Sequence, residues 1–277
     1  MVIDHNPALF ARASESLSGV GVLENTGGRG AGEARNTGVS AATGAILGFL
    51  DDDAMAMPGW IGHAIDAFAD PQVMGVGGTI EPAWDREPPR WFPQEFNWTI
   101  GCTYPGLPTV PASVRNLIAA NMFVRRSVFD ELGGFRVGFG KKGTLPRPEE
   151  TDLCLRANQR WPTKVWLYNP AVAVRHRVPA SRARPRYFIS RCYNEGLGKA
   201  ALVSYVGSVE GLAAERVYTK RILPAGIAEG LRAAIAERNP DGIARSISIV
   251  VGLAVTITGY LSGKMTVRWA HARGPAA

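Results

Sequence analysis

Short apolar runs alternate with amphipathic stretches along the first 80 residues. Met1–Asp4 opens with an apolar run, and Pro7–Leu17 and Glu33–Ala42 read as helices on either side of a strand at Val20–Glu24 and a turn rich in glycine (Gly27, Gly28, Gly30, Gly32). Ala45–Leu50 contains no polar side chain, which suits a strand covered on both faces of a parallel sheet. Pro58 stands where the next helix begins, with Trp60, Ile61, Ala64, Ile65 and Phe68 as its apolar stripe, and Val73–Ile80 is a further strand. This βαβ alternation predicts the α/β class: an open, mostly parallel sheet flanked by helices, with right-handed crossovers.

The pattern then changes. Glu81–Pro111 carries three tryptophans at seven-residue spacing (Trp84, Trp91, Trp98) and seven prolines, which predicts a long ordered loop. Leu117–Val124 resumes as a strand, Ser127–Leu132 as a short helix stopped by Gly133-Gly134, and Glu149–Arg160 as a helix preceded by a loop over Gly138–Pro148. Two short strands follow, Lys164–Tyr168 and Ala171–Arg175, and the remainder reads as mostly helical. The expected organisation is a body over 1–180 and a basic, helical C-terminal extension over 181–277.

Composition narrows the class. With 46% hydrophobic residues over 277 positions and a mean hydropathy of −0.03, the chain is neither disordered nor a polytopic membrane protein. Its formal charge of +7 is unevenly placed. Residues 1–176 hold 16 basic and 18 acidic side chains, whereas 177–277 hold 15 and 6. Basicity is therefore a property of the tail, where Arg177, Arg182, Arg184, Arg186 and Arg191 offer contacts to acidic headgroups or remain a solvated face. Cys102, Cys154 and Cys192 lack metal or disulfide spacing and fit a reduced, cytoplasmic compartment. The N-terminus lacks the build of a signal peptide. One uncharged stretch, Ser246 to Gly263, is bracketed by Arg245 and Lys264; it reads as a buried helix, with membrane contact as the alternative.

Candidate chemistry clusters at the ends of these elements. Asp51-Asp52-Asp53 follows the apolar strand directly, where open α/β sheets bind ligands. Three adjacent carboxylates repel one another unless a cation is present, and a hard divalent ion such as Mg²⁺ or Mn²⁺ fits them. Glu149-Glu150-Thr151-Asp152 opens a helix, with Glu149 and Asp152 on one face and Glu150 turned about 100° from Glu149. Crowded carboxylates raise one another's pKa, which suits a general base working near neutral pH. Arg35 lies on the helix after the glycine-rich turn, an anion-binding combination. The glycines do not form a dinucleotide fingerprint. His176 follows a strand and reads as a structural histidine or as a ligand; the loop tryptophans read as packing rather than as platforms for sugar rings.

Taken in order, these segments resemble the inverting family 2 glycosyltransferases with the GT-A fold. Val2-Ile3-Asp4 is similar to the family's second strand, ending in the acid that contacts the nucleobase, and Ala34-Arg35-Asn36-Thr37-Gly38 to its "ARNxG" with a nucleotide-contacting arginine. Phe49-Leu50-Asp51-Asp52-Asp53 looks like the metal-binding DxD motif. Asn121-Met122-Phe123-Val124-Arg125-Arg126 and Gly133-Gly134-Phe135 match the strand and turn leading to the acceptor side. Glu149-Glu150-Thr151-Asp152-Leu153-Cys154-Leu155-Arg156 is similar to "EDxDLCLR", and His176 falls where many members keep a histidine. The likeness covers about residues 2–180. It implies Glu150 as catalytic base, Asp4, Arg35 and Asp51 on the donor nucleotide, Asp53, Asp51 and His176 on the cation, and Glu149 and Asp152 as supporting acids.

Two departures stand out. Glu150 occupies a place usually held by aspartate, moving the carboxylate by about one methylene. The family also opens with a strand and helix that floor the nucleotide pocket, whereas Met1 here begins at the second strand; the expectation is either a start upstream or a truncated member. Gln159-Arg160-Trp161 is set aside, its spacing being wrong for the QxxRW of processive synthases. The function implied is metal-dependent, inverting transfer of a sugar from a nucleotide-diphosphate-sugar donor to a carbohydrate, lipid-linked or small-molecule hydroxyl acceptor. A truncated member that binds nucleotide or a partner without turnover, and a nucleotidyltransferase, are the alternatives. The expected location is cytoplasmic, with peripheral contact at the inner membrane face, and the acidic cleft argues against nucleic acid.

Overall fold

A computed structural model describes residues 1–137, 149–206 and 216–272. The loop expected over 138–148 lies outside the described residues. Val2–Ile3 (β1) leads to Pro7–Ser16 (α1), whose start is fixed by Pro7 at the first helical position and by the Asn6 side chain accepting from the Leu9 amide at 3.1 Å. Leu23–Glu24 (β2), Ala31–Ala41 (α2), Ile46–Leu50 (β3), Ala54–Ala56 (β4), Trp60–Ala67 (α3), Val73–Gly77 (β5) and Ile80–Trp84 (β6) follow. After the loop come Ala112–Val114 (β7), Asn121–Arg125 (β8), Arg126–Leu132 (α4), Glu149–Arg160 (α5), Val165–Tyr168 (β9) and Val174–Val178 (β10). The C-terminal helices are Pro185–Val206 (α6), Leu223–Ala236 (α7), entered through a π-helical turn at Tyr218–Ile222, and Asp241–Ala272 (α8).

The strands form a parallel β1-β2 pair, a five-stranded sheet in the order β3-β8-β5-β9-β7 and a three-stranded sheet in the order β4-β10-β6. The α/β class with helices on the sheets is as expected, but the strand directions are mixed. In the five-stranded sheet the β5–β9 pair is parallel and the other three pairs are antiparallel. Parallel neighbours need a crossover, usually helical; β8 is instead entered from residues 115–120 after the edge strand β7 and runs antiparallel to both its neighbours, β3 and β5. β3 also departs from expectation. Among the described residues it pairs only with β8, and although Leu47 is buried, Gly48 and Leu50 are exposed.

Three apolar clusters hold these layers. One face of the five-stranded sheet packs Leu47, Met122, Val124 and Trp166 against Phe129, Phe135 and Leu153 of the α4–α5 region. The other face packs Val76 and Phe123 on Ala64 and Phe68 at α3. The third cluster joins β6 and β10 to the long loop and the C-terminal helices through Ile80, Val174, Phe96, Phe188, Leu223 and Ile249. The loop tryptophans pack into it, as expected. Trp91 lies edge-on to Phe92 and Phe188, and Trp98 stacks on Phe96 while donating to the Tyr218 hydroxyl at 3.0 Å. The stretch 246–263 is helical within α8, but the apolar part of that helix is only 28% buried, so the reading of a buried helix is corrected.

Candidate active site

The glycine-rich turn is organised by two strand ends. Asp4, after β1, accepts from the Asn25 amide at 2.7 Å and from the Gly30 amide at 3.1 Å. Asn25, buried after β2, also donates to the Gly28 carbonyl and accepts from the Gly27 amide and the Thr37 hydroxyl. Gly30 sits at φ 138°, a conformation other residues rarely adopt, and from it α2 starts. The turn thereby aims the first turn of α2 at the cleft.

Arg35 leaves α2 into that cleft and bridges two acids, Asp51 at 3.0 Å and Glu149 at 3.1 Å. Gly32, one turn earlier on α2, brings the two helix starts together: a Cβ there would touch Glu149 and Phe135. Asn36 fastens the same helix to the Gly133-Gly134 turn, donating to the Phe135 carbonyl at 2.8 Å and accepting from its amide at 2.9 Å. Arg35 is largely buried, yet its guanidinium is held above its ordinary pKa: burial acts to lower it, and the charges of Glu150, Asp51 and Glu149 outweigh that.

On the other side of the DxD-like segment, β4 pairs antiparallel with β10, setting Ala54 opposite His176. The register and the Arg177 amide, which donates to the Asp53 carbonyl at 2.7 Å, bring His176 Nε2 to 3.1 Å from Asp53. His176 Nδ1 faces the Cys102 sulfur at 3.9 Å, and burial pushes that thiol up to about 12, so it stays neutral. Arg182 donates to the second Asp53 oxygen at 3.1 Å. Asp51, Asp53 and His176 thus offer donor atoms within 4.8 Å of one another, while Asp52 points outward. Two carboxylate oxygens and one imidazole nitrogen fit a hard divalent ion such as Mg²⁺ or Mn²⁺.

Glu150 lies at the start of α5 beside Glu149. Withdrawal from solvent, and then the Glu149 charge, push its carboxyl up to about 7, against the opposing pull of Arg35. Asp152 does not join the cluster. Its fully buried carboxylate sits between Arg136 at 3.2 Å and Arg156 at 2.8 Å, and Arg156 donates onward to the Leu132 and Gly134 carbonyls. Asp152 therefore secures the α4–α5 junction on which Glu150 stands. Asp152→Asn is expected to destabilise the fold by about 3 kcal/mol, because two arginines lose one buried counter-charge; urea unfolding measures it. Asn25 and Arg182 carried no motif signal, since each acts on a residue remote in sequence; Asn36 lies in the ARNxG-like stretch, but its tie to Phe135, 99 positions on, is not readable there.

Comparisons with known proteins bear on the fold and the class of protein. Residues 4–133 match the family model of glycosyl transferase family 2. The glucosyl-dolichyl phosphate glucuronosyltransferase of Haloferax volcanii is 28% identical over 272 residues, covering 96% of this chain and 86% of that protein. The pre-mycofactocin glycosyltransferase of Mycobacterium tuberculosis is 29% identical over 136 residues, 49% of this chain and 28% of its own length. Among solved structures, a mannosyltransferase from Pyrobaculum calidifontis in complex with GDP-Man and Mn²⁺ superposes with a TM-score of 0.54 at 18% identity, covering 92% of this chain and 75% of that one. The chain is an enzyme with the GT-A fold. Over residues 4–133 it is similar to the family 2 glycosyltransferases.

Proposed function

We propose that the chain transfers a glycosyl group from a nucleoside-diphosphate sugar to a hydroxyl acceptor, with inversion and with a divalent cation. The observation that carries this reading is the Arg35 bridge from the Asp51–Asp53–His176 donor set to Glu149, next to Glu150, a carboxyl poised near neutral pH. Asp51, Asp53 and His176 would hold the cation, whose chemistry is to neutralise charge on the departing diphosphate. Arg35 and Arg182 present guanidiniums to the same charge. Asp4 shapes the nucleotide side through the glycine-rich turn. Glu150 takes the acceptor hydroxyl proton while the oxygen attacks the anomeric carbon and the bond to the diphosphate oxygen breaks. A single displacement inverts the anomeric centre.

The body over 1–180 supplies this site apart from Arg182, and the described residues of 181–277 form the extension. The relative named for glucosyl-dolichyl phosphate favours a lipid-linked acceptor over a free carbohydrate or small molecule. Three buried free cysteines favour work in the reducing cytoplasm. The test is a panel of nucleotide sugars with Mn²⁺, following release of nucleoside diphosphate and the anomeric configuration of the product. Retained configuration, or release of pyrophosphate, overturns the reading. Arg182→Ala is expected to raise the donor KM about tenfold or more, the worth of one charge-assisted hydrogen bond, with a smaller effect on kcat; initial rates against donor concentration check it.

A further inference from the structure

α8 carries its amphipathicity reversed. Its inner stripe is mostly small: Gly242, Ser246, Gly252, Gly259 and Gly263 are buried with a single large residue, Ile249, among them, and a side chain at Gly259 would collide with the Tyr193 backbone of α6. Its outer stripe is large and aliphatic. Ile243, Ile247, Val250, Ile257, Leu261 and Met265 recur at helical spacing and are each 49–59% exposed. A helix facing water turns its large aliphatic residues inward. Small residues at the helix contact with large apolar ones outside is the arrangement found in lipid.

The outer stripe runs about 33 Å, from the helical rise over its 22 intervals. The neighbouring helix widens it. Gly230 of α7 packs on Gly242, and further along α7 Leu231 and Ile235 are 44% and 81% exposed. Charges of both signs border this surface, Arg232, Arg238 and Lys264 with Glu229, Glu237 and Asp241, and Arg232 pairs with Glu237 at 3.4 Å; over 177–277 as a whole, basic side chains outnumber acidic ones 15 to 6. The aliphatic stripe calls for hydrocarbon and the basic excess of the C-terminal region for anionic headgroups.

The packing decides between crossing a bilayer and lying on it. α6 runs along the inner stripe and brings Arg191 and the Glu195–Lys199 ion pair, at 3.0 Å, with it. Crossing would draw these charges into hydrocarbon, which is costly. Near its N-terminal half α8 is also pinned to the body, where Gly252 meets Phe96 and Phe188. We propose that the outer face of α8, with Leu231 and Ile235 of α7, lies in the interface of an anionic phospholipid bilayer and docks the enzyme there without crossing it.

The surface stands apart from the reaction, so its test uses neither donor nor acceptor. The full chain is floated with vesicles of phosphatidylcholine, with and without phosphatidylglycerol. Wild type is expected to float with the anionic vesicles and to be released from them by alkaline carbonate. Val250→Glu/Ile257→Glu and, separately, Ile247→Glu/Leu261→Glu should each weaken vesicle binding about tenfold or more, with circular dichroism unchanged because these side chains already face outward. Wild type remaining with the soluble fraction, variants floating like wild type, or resistance to carbonate each overturn the proposal. A dimer in sedimentation velocity that either double variant disperses, without flotation of wild type, would assign the face to a second copy of this chain instead.

Discussion

Glutamine in place of Glu150 is expected to slow glycosyl transfer by about 10²–10⁴-fold, the range general-base catalysis supplies, while donor affinity changes little. The substitution keeps the side-chain length and its place beside Glu149 but removes the group that accepts the proton. A pH profile makes the assignment specific. With the carboxyl pushed up to about 7, the base is protonated and idle below that pH, so kcat/KM should climb as pH rises through about 7 and level off above it. In Glu150→Gln the residual rate should lose that limb. Glu150→Asp restores a carboxylate drawn back by one methylene and should recover part of the rate with the same limb. If Glu150→Gln retains the full rate, or keeps the rise near pH 7, the proton goes elsewhere and Glu149 is the next carboxylate to test. Stability carries the opposite sign. A carboxyl held above its unfolded value favours the folded state at low pH, and that contribution is lost as pH rises through about 7, so the base is held where activity and stability pull apart.

Much of the site is legible in the sequence because its residues lie in short motifs at the ends of elements. Asp51 and Asp53 follow the apolar run of β3, Arg35 lies on the helix leaving the glycine-rich turn, and Glu150 opens α5. What a linear pattern cannot carry is pairing over distance. Arg182 reaches Asp53 across 129 positions, and the sequence offers it only as one of several tail arginines. The link between His176 and Asp53 depends on β4, a three-residue strand too short to give a period. Asp152 shows the converse. Its spacing puts it on the face of Glu149, yet Arg156, one turn on in α5, and Arg136, from before the helix, draw its carboxylate into a buried cluster.

The sheet and the tail were hidden for a related reason. An apolar run such as Ala45–Leu50 announces a strand but not its direction or its number of neighbours, and both depend on where the chain returns from. Likewise the uncharged stretch of α8 is visible in the sequence, but which side of it faces outward is set by the glycines that meet α6. Ordinary hydrophobic patterning assigns the larger residues to the core, and here most of them, Ile249 apart, are outside.

Asn in place of Asp53 should abolish the dependence of transfer on Mn²⁺ and lower kcat by about 10³-fold, the several kcal/mol that charge neutralisation at a leaving group is worth. Asp53 is the hinge of the cluster, since its two oxygens face His176 Nε2 and Arg182 at 3.1 Å each. The amide keeps the shape and a hydrogen-bonding oxygen, so the change falls on charge rather than on packing. Its carboxylate is about a third exposed, so the lost ion pair with Arg182 should cost about 1 kcal/mol or less of stability. Titrating nucleoside diphosphate calorimetrically with and without Mn²⁺ separates the causes. In wild type the metal should tighten binding; in Asp53→Asn the two isotherms should coincide, while unfolding stays near wild type. Binding that still tightens with Mn²⁺ would remove Asp53 from the cation set. His176→Ala should weaken the metal effect without erasing it, because both carboxylates remain; a complete loss there would mean that imidazole, rather than the acid pair, supplies most of the affinity.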